Sequence, residues 1–415
     1  MNLLIIGNGF DLAHDLPTQY KDFLKFVNLA NAILDDDLDT IKNIEASDGN
    51  DDNEIKKTKD FITLIKSLKD KESFKYIEEL HKLSIDNLWF NYFNNLKSKF
   101  NTWIDFETEI SKVIQILETV KEAKDEALLY NLESFKAHNG IKVLADSLKK
   151  TISNEYKKSN QNDNKTCYLH VESYSLVVNK LLEGLNRLTR CLEIYLCVYI
   201  NSLDTGVRIP EILALQNNIN CVLSFNYTNT FERFYGRPNV EYDYIHGKAS
   251  IENTVETCQL VLGIDEYLDE EEKNKNIDFI QYKKYFQRIY KRTGRKYKDW
   301  FKETDTHNRT NGFYTGMKEL NIHIIGHSLD ITDKDILNEL IMFDKQKDLR
   351  DVTVPVKVII YDHNKKANAS HIANLVRVIT QDELIDSVYS KDGNDPRIVF
   401  KPQSPSININ YTEDQ

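Results

Sequence analysis

The chain has 415 residues, 41% of them hydrophobic and 29% charged, with only 14 glycines and 7 prolines. This composition excludes collagen-like, low-complexity and wholly disordered chains, and the length suffices for about two to three domains. Lysine and arginine number 54 against 65 acids, and the net charge of −11 excludes a protein that holds nucleic acid or anionic membrane through its overall field.

The first element is the apolar run Leu3–Ile6, which ends in Gly7-Asn8-Gly9; from Thr18 the residues Tyr20, Phe23, Leu24, Phe26 and Val27 recur at helical spacing. The chain therefore opens as strand, turn and helix. It lacks the basic start and long apolar centre of a signal peptide, and no apolar run approaches the roughly 18 residues that span a bilayer, so the expected location is cytoplasmic. Asp35, Asp36, Asp37, Asp39, Glu45, Asp48, Asp51, Asp52 and Glu54 face the single base Lys42, which predicts a solvated, mobile loop over 35–54. Two long helical faces follow, Trp103/Phe106/Ile110/Val113/Ile114/Leu117 and Leu181/Leu185/Leu188/Leu192/Tyr195/Tyr199, with a polar loop at 157–166 between them. The five cysteines, Cys167, Cys191, Cys197, Cys221 and Cys258, form no C-x-x-C pair and read as buried free thiols.

Beyond residue 205 the texture changes to short apolar runs: Cys221–Phe225, Tyr242–Ile245, Leu260–Leu262, Ile322–Ile325, Val356–Tyr361 and Arg397–Phe400. Unbroken apolar runs suit strands covered on both faces. The simplest architecture is α/β, a Rossmann-like, open and mostly parallel sheet. Residues 1–34 and 206–405 form its discontinuous core, 35–205 a helical insertion and 406–415 a flexible tail.

In an open parallel sheet the carboxyl ends of the strands line the ligand crevice, and polar groups there are the leading site candidates. The first turn, Gly7-Asn8-Gly9-Phe10-Asp11, has two of the three glycines that admit a pyrophosphate, with Leu12 in the third position; a plain tight turn is the alternative. Further strand ends carry Asn226 and Thr228, His246-Gly247, and Gly326-His327-Ser328 with Asp330. Each has a structural alternative: Asn226 as a turn residue, His246 as a buried core histidine, Ser328 as a helix cap. No tight metal-ligand motif appears.

The segments GNGFDLAHDLPTQY (7–20), SFNYTNTFE (224–232), IHGK, LVLGID (260–265) and IIGHSLDITDKDIL (324–337) resemble the AbiH family of bacterial phage abortive-infection proteins. The same landmarks, in the same order, also resemble a diverged sirtuin core, in its G-A-G-x-S, T-Q-N-x-D, H-G, G-E and G-T-S-L motifs and in an adenosine-side asparagine matched by Asn364. Asp11 stands where the sirtuin serine would be and Thr228 where its nicotinamide-side aspartate would be, and the four-cysteine zinc module is missing.

The resemblance implies an NAD-cleaving defence protein. Asn226, His246 and Asp11 would be catalytic, and Gly7, Asn8, Gly9, Phe10, Gly326, Ser328 and Asn364 would hold the nucleotide. AbiH-like sequences carry a W-x-x-x-E like that of Trp103 and Glu107, which adds Glu107 as an outlying candidate beside Thr228 and Asp330. Activity of this kind implies a gate, through a homo-oligomer or a phage-derived trigger. Two other readings stand: a sensor that binds NAD or ADP-ribose without turnover, and an effector that meets nucleic acid through the nine cations and interleaved aromatics of Tyr282 to Lys302. That stretch reads equally as an amphipathic helix over an aromatic core stripe, or as a partner for the acids at 35–54.

Overall fold

The computed structural model describes residues 1–99, 105–122, 171–266, 277–301, 319–345, 354–389 and 395–409. Among them the strands are β1 (Asn2–Ile6), β2 (Val207–Arg208), β3 (Cys221–Ser224), β4 (Glu241–Tyr244), β5 (Leu320–Ile325), β6 (Val356–Asp362), β7 (Ile398–Pro402) and β8 (Ile407–Asn408). The fold is α/β and separates into two compact units. The first comprises Met1–Thr18, Leu203–Lys248 and Lys291–Gln415, and the second Gln19–Ser202 and Ala249–Tyr290.

The first unit is built on a six-stranded sheet of order β4-β3-β1-β5-β6-β7, in which every pairing is parallel. β1 is central, with Leu3 opposite Cys221 on one side and Ile322 on the other. Side chains alternate between the faces of a strand, so β1 feeds two cores. Leu3 and Ile5 join Leu223, Ile324, Leu337 and Leu375 on one face, while Leu4 and Ile6 join Val222, Phe10, Phe231 and Tyr235 on the other. Helices on both faces supply these partners, which is why the strands read as continuous apolar runs. The strand order reverses at β1, since β3 and β4 lie to one side and β5, β6 and β7 to the other; the connections there lead apart and leave a crevice at the carboxyl edge.

Two loops meet at that edge. Gly9 N–H donates to Gly326 O at 2.8 Å. A Cβ on Gly7 would stand 2.8 Å from His327 Cα, one on Gly9 would stand 2.9 Å from Gly326 Cα, and one on Gly326, whose φ is +67°, would fall inside the Phe10 amide. The glycines of the first turn thus let two backbones touch. Ile407–Asn408, expected in a flexible tail, instead pairs antiparallel with Val207–Arg208, and Ser406 Oγ donates to Ala13 O.

The second unit is helical in its described residues, with Tyr20–Leu34, Asp52–Leu68, Leu88–Lys99, Phe106–Glu122 and Val171–Val198 among its helices. Both expected helical faces are buried, Phe106 to Leu117 and Leu181 to Tyr199, around stacked rings such as Phe93 on Phe106 and Tyr195 on Tyr199. Trp103, the loop at 157–166 and Cys167 lie outside the described residues.

Two expectations are corrected here. The acidic stretch 35–54 is helical over Leu38–Ser47 and from Asp52 onward, because its acids act as caps: Asp37 accepts from Thr40 N and Asp51 from Asn53 N and Glu54 N. Two of its other acids meet cations inside the helical unit. Asp48 pairs with the buried Lys25, and Glu54 with Lys25 and Lys57. Burial alone would raise the Glu54 carboxyl, but the Lys57 and Lys25 ammonium groups outweigh it and hold it down at about 2.

The second correction concerns Leu260–Leu262, which forms no strand. The run lies in the helical unit, fully covered, and the Gln287 side-chain amide takes the place of a neighbouring strand by accepting from Leu262 N and donating to Leu262 O.

Two glycine substitutions separate backbone strain from collision. Gly49, at φ +58° with open space around it, loses about 1 kcal/mol on change to alanine. Gly326→Ala has a similar φ and no space, and costs about 3 kcal/mol or more; urea unfolding of both variants measures the difference.

Candidate functional site

Four strand ends of the sheet unit bring polar side chains to its carboxyl edge. The short helix Asn8–Leu12 after β1 turns Asp11 inward until it is 1% exposed, and Thr228, in the loop after β3, donates its hydroxyl to Asp11 Oδ2 at 2.6 Å. Thr230 in turn donates to Thr228 Oγ1. Burial pushes the Asp11 carboxyl up to about 6, against the lowering influence of Thr228, Thr230, Asn226 and the Arg233 charge. Asn226 is 5% exposed; its backbone is fixed by Ser224, yet Oδ1 and Nδ2 of its amide make no hydrogen bond of good geometry, and neither does Asp11 Oδ1. Native interiors rarely leave such atoms unmatched, and where they do, an ordered water, an ion or a catalytic role accounts for them.

His246, at the end of β4, is buried, and its Nε2 lies 3.2 Å from Asp333 Oδ1. The other oxygen of Asp333 lies 3.5 Å from His327 Nε2. His327 Nδ1 accepts from Leu329 N at 2.9 Å, which leaves the proton of the neutral ring on Nε2, directed to Asp333. One carboxylate therefore faces two imidazoles, although His246 Nε2 and Asp333 Oδ1 make no hydrogen bond of good geometry, and Phe225 packs its ring edge-on against both rings. Sequence reading named His327 only within the strand-end run and gave it no role, and it missed Asp333. The signal was present in the G-H-S-L-D-I-T-D run, where Asp330 drew attention instead; Asp330 caps the following turn by accepting from Thr332 N.

A cavity of about 820 Å³ opens beside these residues, over the ends of β1, β5 and β6. It brings together Gly9, Gly326, Ser328 and Asn364 of the expected nucleotide-binding set, with His327 in its wall, whereas Asp11, Asn226, Thr228 and His246 are not among its lining. Asn364 is the N-cap of the helix Lys365–Ile379, its Oδ1 accepting from Ala367 N. Gly7 supports the contact with the His327 backbone, and Asn8 Oδ1 accepts from Thr18 Oγ1.

Phe10, expected at the nucleotide, is instead wholly buried against Phe231, Tyr235 and His14. Glu107 belongs to the helical unit, where it pairs with the buried Lys284 at 2.7 Å; Gly263 and Asp265, taken as part of a strand end, belong to that unit too. In the basic aromatic stretch Lys283 is likewise buried against Glu266, and Tyr282, Tyr297, Trp300 and Phe301 pack inside, while Tyr290 is 75% exposed and Lys302 lies outside the described residues.

Cys191 and Cys221 are buried free thiols, and burial pushes Cys197 and Cys221 up to about 12, which makes them poor nucleophiles. Among the described residues no group of acids, histidines and cysteines is arranged to hold a metal ion, and no helix is long and apolar enough to cross a membrane.

Residues 3–355 match the family described as bacteriophage abortive infection AbiH. The chain belongs to that family, and membership implies a role in phage abortive infection. No curated protein matches the chain, and no solved structure does.

The buried Asp11 carboxyl has a consequence for stability. Its folded-state value lies above the ordinary 3.8, so the folded protein binds a proton that the unfolded chain releases, and stability falls as pH rises from about 4 through about 6. Asp11→Asn keeps an oxygen to accept from Thr228 and removes the charge. It raises stability by up to about 3 kcal/mol at pH 8, and the gain vanishes below about pH 4; thermal unfolding of both proteins across this range measures it.

Proposed function

We propose that this AbiH protein acts in abortive infection by binding NAD at the carboxyl edge of its parallel sheet and hydrolysing the bond between nicotinamide and ribose. The observation that carries this reading is the trio of buried, unmatched atoms Asn226 Oδ1, Asn226 Nδ2 and Asp11 Oδ1. Ribose hydroxyls both donate and accept, and would satisfy all three. The strand order adds support: counted within the main sheet alone it runs 3-2-1-4-5-6, the order of doubly wound dinucleotide-binding sheets, whose ligand crosses the point of reversal.

The two departures from the sirtuin pattern also answer one another. Where that pattern has a hydroxyl on the first turn and a carboxylate after the third strand, this chain has Asp11 and Thr228, and these two are hydrogen-bonded. The exchange keeps one carboxylate and one hydroxyl. It also turns the Asp11 charge toward Thr228, which relieves the repulsion expected between an acid on the first turn and a pyrophosphate.

In the proposed reaction the C1′–N bond breaks with its electron pair going to nicotinamide, which leaves neutral. Water adds at C1′, and its proton passes to a base, giving ADP-ribose. The ionised Asp11 favours the positive charge developing on the ribose, and Asn226 orients a ribose hydroxyl or the water. His246 is the base, its ring facing Asp333 with Nε2 3.2 Å from Oδ1. Asp333 positions that ring and touches no substrate. NAD loss harms the cell that makes the enzyme, so activity calls for a gate, through self-assembly or a phage component acting on the helical unit.

NAD consumption and nicotinamide release by the purified protein, with and without lysate of phage-infected cells, test the reading. Turnover is expected to fall about 100-fold or more in Asn226→Ala and His246→Ala, and in the wild type to decline below about pH 6 as Asp11 takes up its proton. Asp333→Asn should lower kcat about 10- to 100-fold with KM little changed. NAD left intact under every condition, while ADP-ribose binds tightly, would replace hydrolysis with sensing.

A further inference from the structure

The 820 Å³ cavity has a chemical character of its own. One wall is the helix Lys365–Ile379, and Lys366, Ala367, Ser370, His371 and Asn374 line it along two neighbouring stripes of that helix. His363 adds another imidazole at the rim, and none of the described residues lining the cavity is an aspartate or glutamate. A volume in this range takes a nucleotide-sized ligand.

His371 is the most committed group in that wall. It is 8% exposed, and its Nδ1 lies 2.5 Å from Asp362 Oδ1. Asp362 is itself buried and held by Asn368 Nδ2 at 2.7 Å, and it does not line the cavity. The carboxylate thus sits behind the imidazole, accepts from Nδ1–H and leaves Nε2, which makes no hydrogen bond among the described residues, as the atom offered to a ligand.

We infer that this cavity binds a phosphomonoester on the adenosine half of the substrate, so that the preferred dinucleotide is the ribose-phosphorylated one, NADP, over NAD. The inference rests on the dinucleotide reading above and adds the substrate class to it. Sites selective for the unphosphorylated dinucleotide place a carboxylate where it accepts from the free ribose hydroxyls, whereas sites selective for the phosphate place a cation there. This cavity has Lys366, His363 and His371, and no acid among its described lining residues. A phosphate monoester loses its second proton near the pH at which imidazole does, so the two share one proton in a short, charge-assisted bond.

Calorimetric titration with adenosine 2′,5′-bisphosphate and with AMP tests the inference. The bisphosphate is expected to bind about tenfold tighter or more to the wild type, with an advantage that shrinks as salt rises. His371→Gln and Lys366→Glu should each bring the two ligands within about twofold. Lys366 is exposed, so its variant reports even if loss of the His371–Asp362 pair harms folding. Equal binding of the two ligands to the wild type, or a preference that survives both substitutions, overturns the inference. Its failure is separable from that of the hydrolase reading: NAD and NADP consumed at equal kcat/KM remove only the phosphate preference. Binding of neither ligand, with both dinucleotides left intact, removes both.

Discussion

The carboxyl edge of the sheet depends on one close approach, that of the loop after β1 to the loop after β5. Gly7, Gly9 and Gly326 let these backbones meet at hydrogen-bonding distance, and no side chain larger than hydrogen fits any of the three positions without displacing the other loop. From that contact the rest of the edge follows. The helix Asn8–Leu12 leaves the sheet at an angle that sends Phe10 into one core and Asp11 to Thr228, while Gly326 hands the chain on to His327 and the turn that carries Asp333. A fingerprint usually read as room for phosphate serves here first as room for a second loop.

Around that contact, the unit gathers its buried charge into a few matched sets. Asp333 faces His246 and His327, Asp362 faces His371, and Asp11 is met by hydroxyls. The last of these leaves an oxygen and a neighbouring amide unmatched, as the first leaves Asp333 Oδ1 and His246 Nε2, and burial raises the Asp11 carboxyl into the range of ordinary pH. The buried ion pairs of the helical unit work in the opposite direction, because Glu54 has three lysines within reach and stays ionised far into acid. Burial costs a carboxylate the same solvation in both places, and the partner decides whether it keeps its charge.

The strands of the sheet were legible because a parallel strand covered on both faces has to be apolar along its length, as Cys221–Ser224 and Val356–Asp362 are. The same rule misread Leu260–Leu262, since a side-chain amide such as that of Gln287 meets backbone groups as well as a strand does, and no pattern within the run reveals it. The acidic segment was misread because charge density ignores position: an aspartate immediately before a helix caps it, and one opposite a buried lysine is paired. Among candidate site residues, those on strand ends were readable from topology, as with Asn226, His246 and Ser328. Asp333 and His371 act through partners a turn or two further along the chain or on another loop. Their roles emerge only when the fold joins them to His246 and Asp362.

The position of β1 also governs when the sheet can exist at all. Leu3, among the first residues made, lies between Cys221 and Ile322, so the central strand has neither neighbour until more than half of the chain has left the ribosome, and lacks the second until some 320 residues have been made. Pairings between such distant residues form slowly and late. The helical unit can pack much of its core while β1 waits. The edge that unites the Asp11, Asn226 and Asp333 loops is therefore among the last parts assembled.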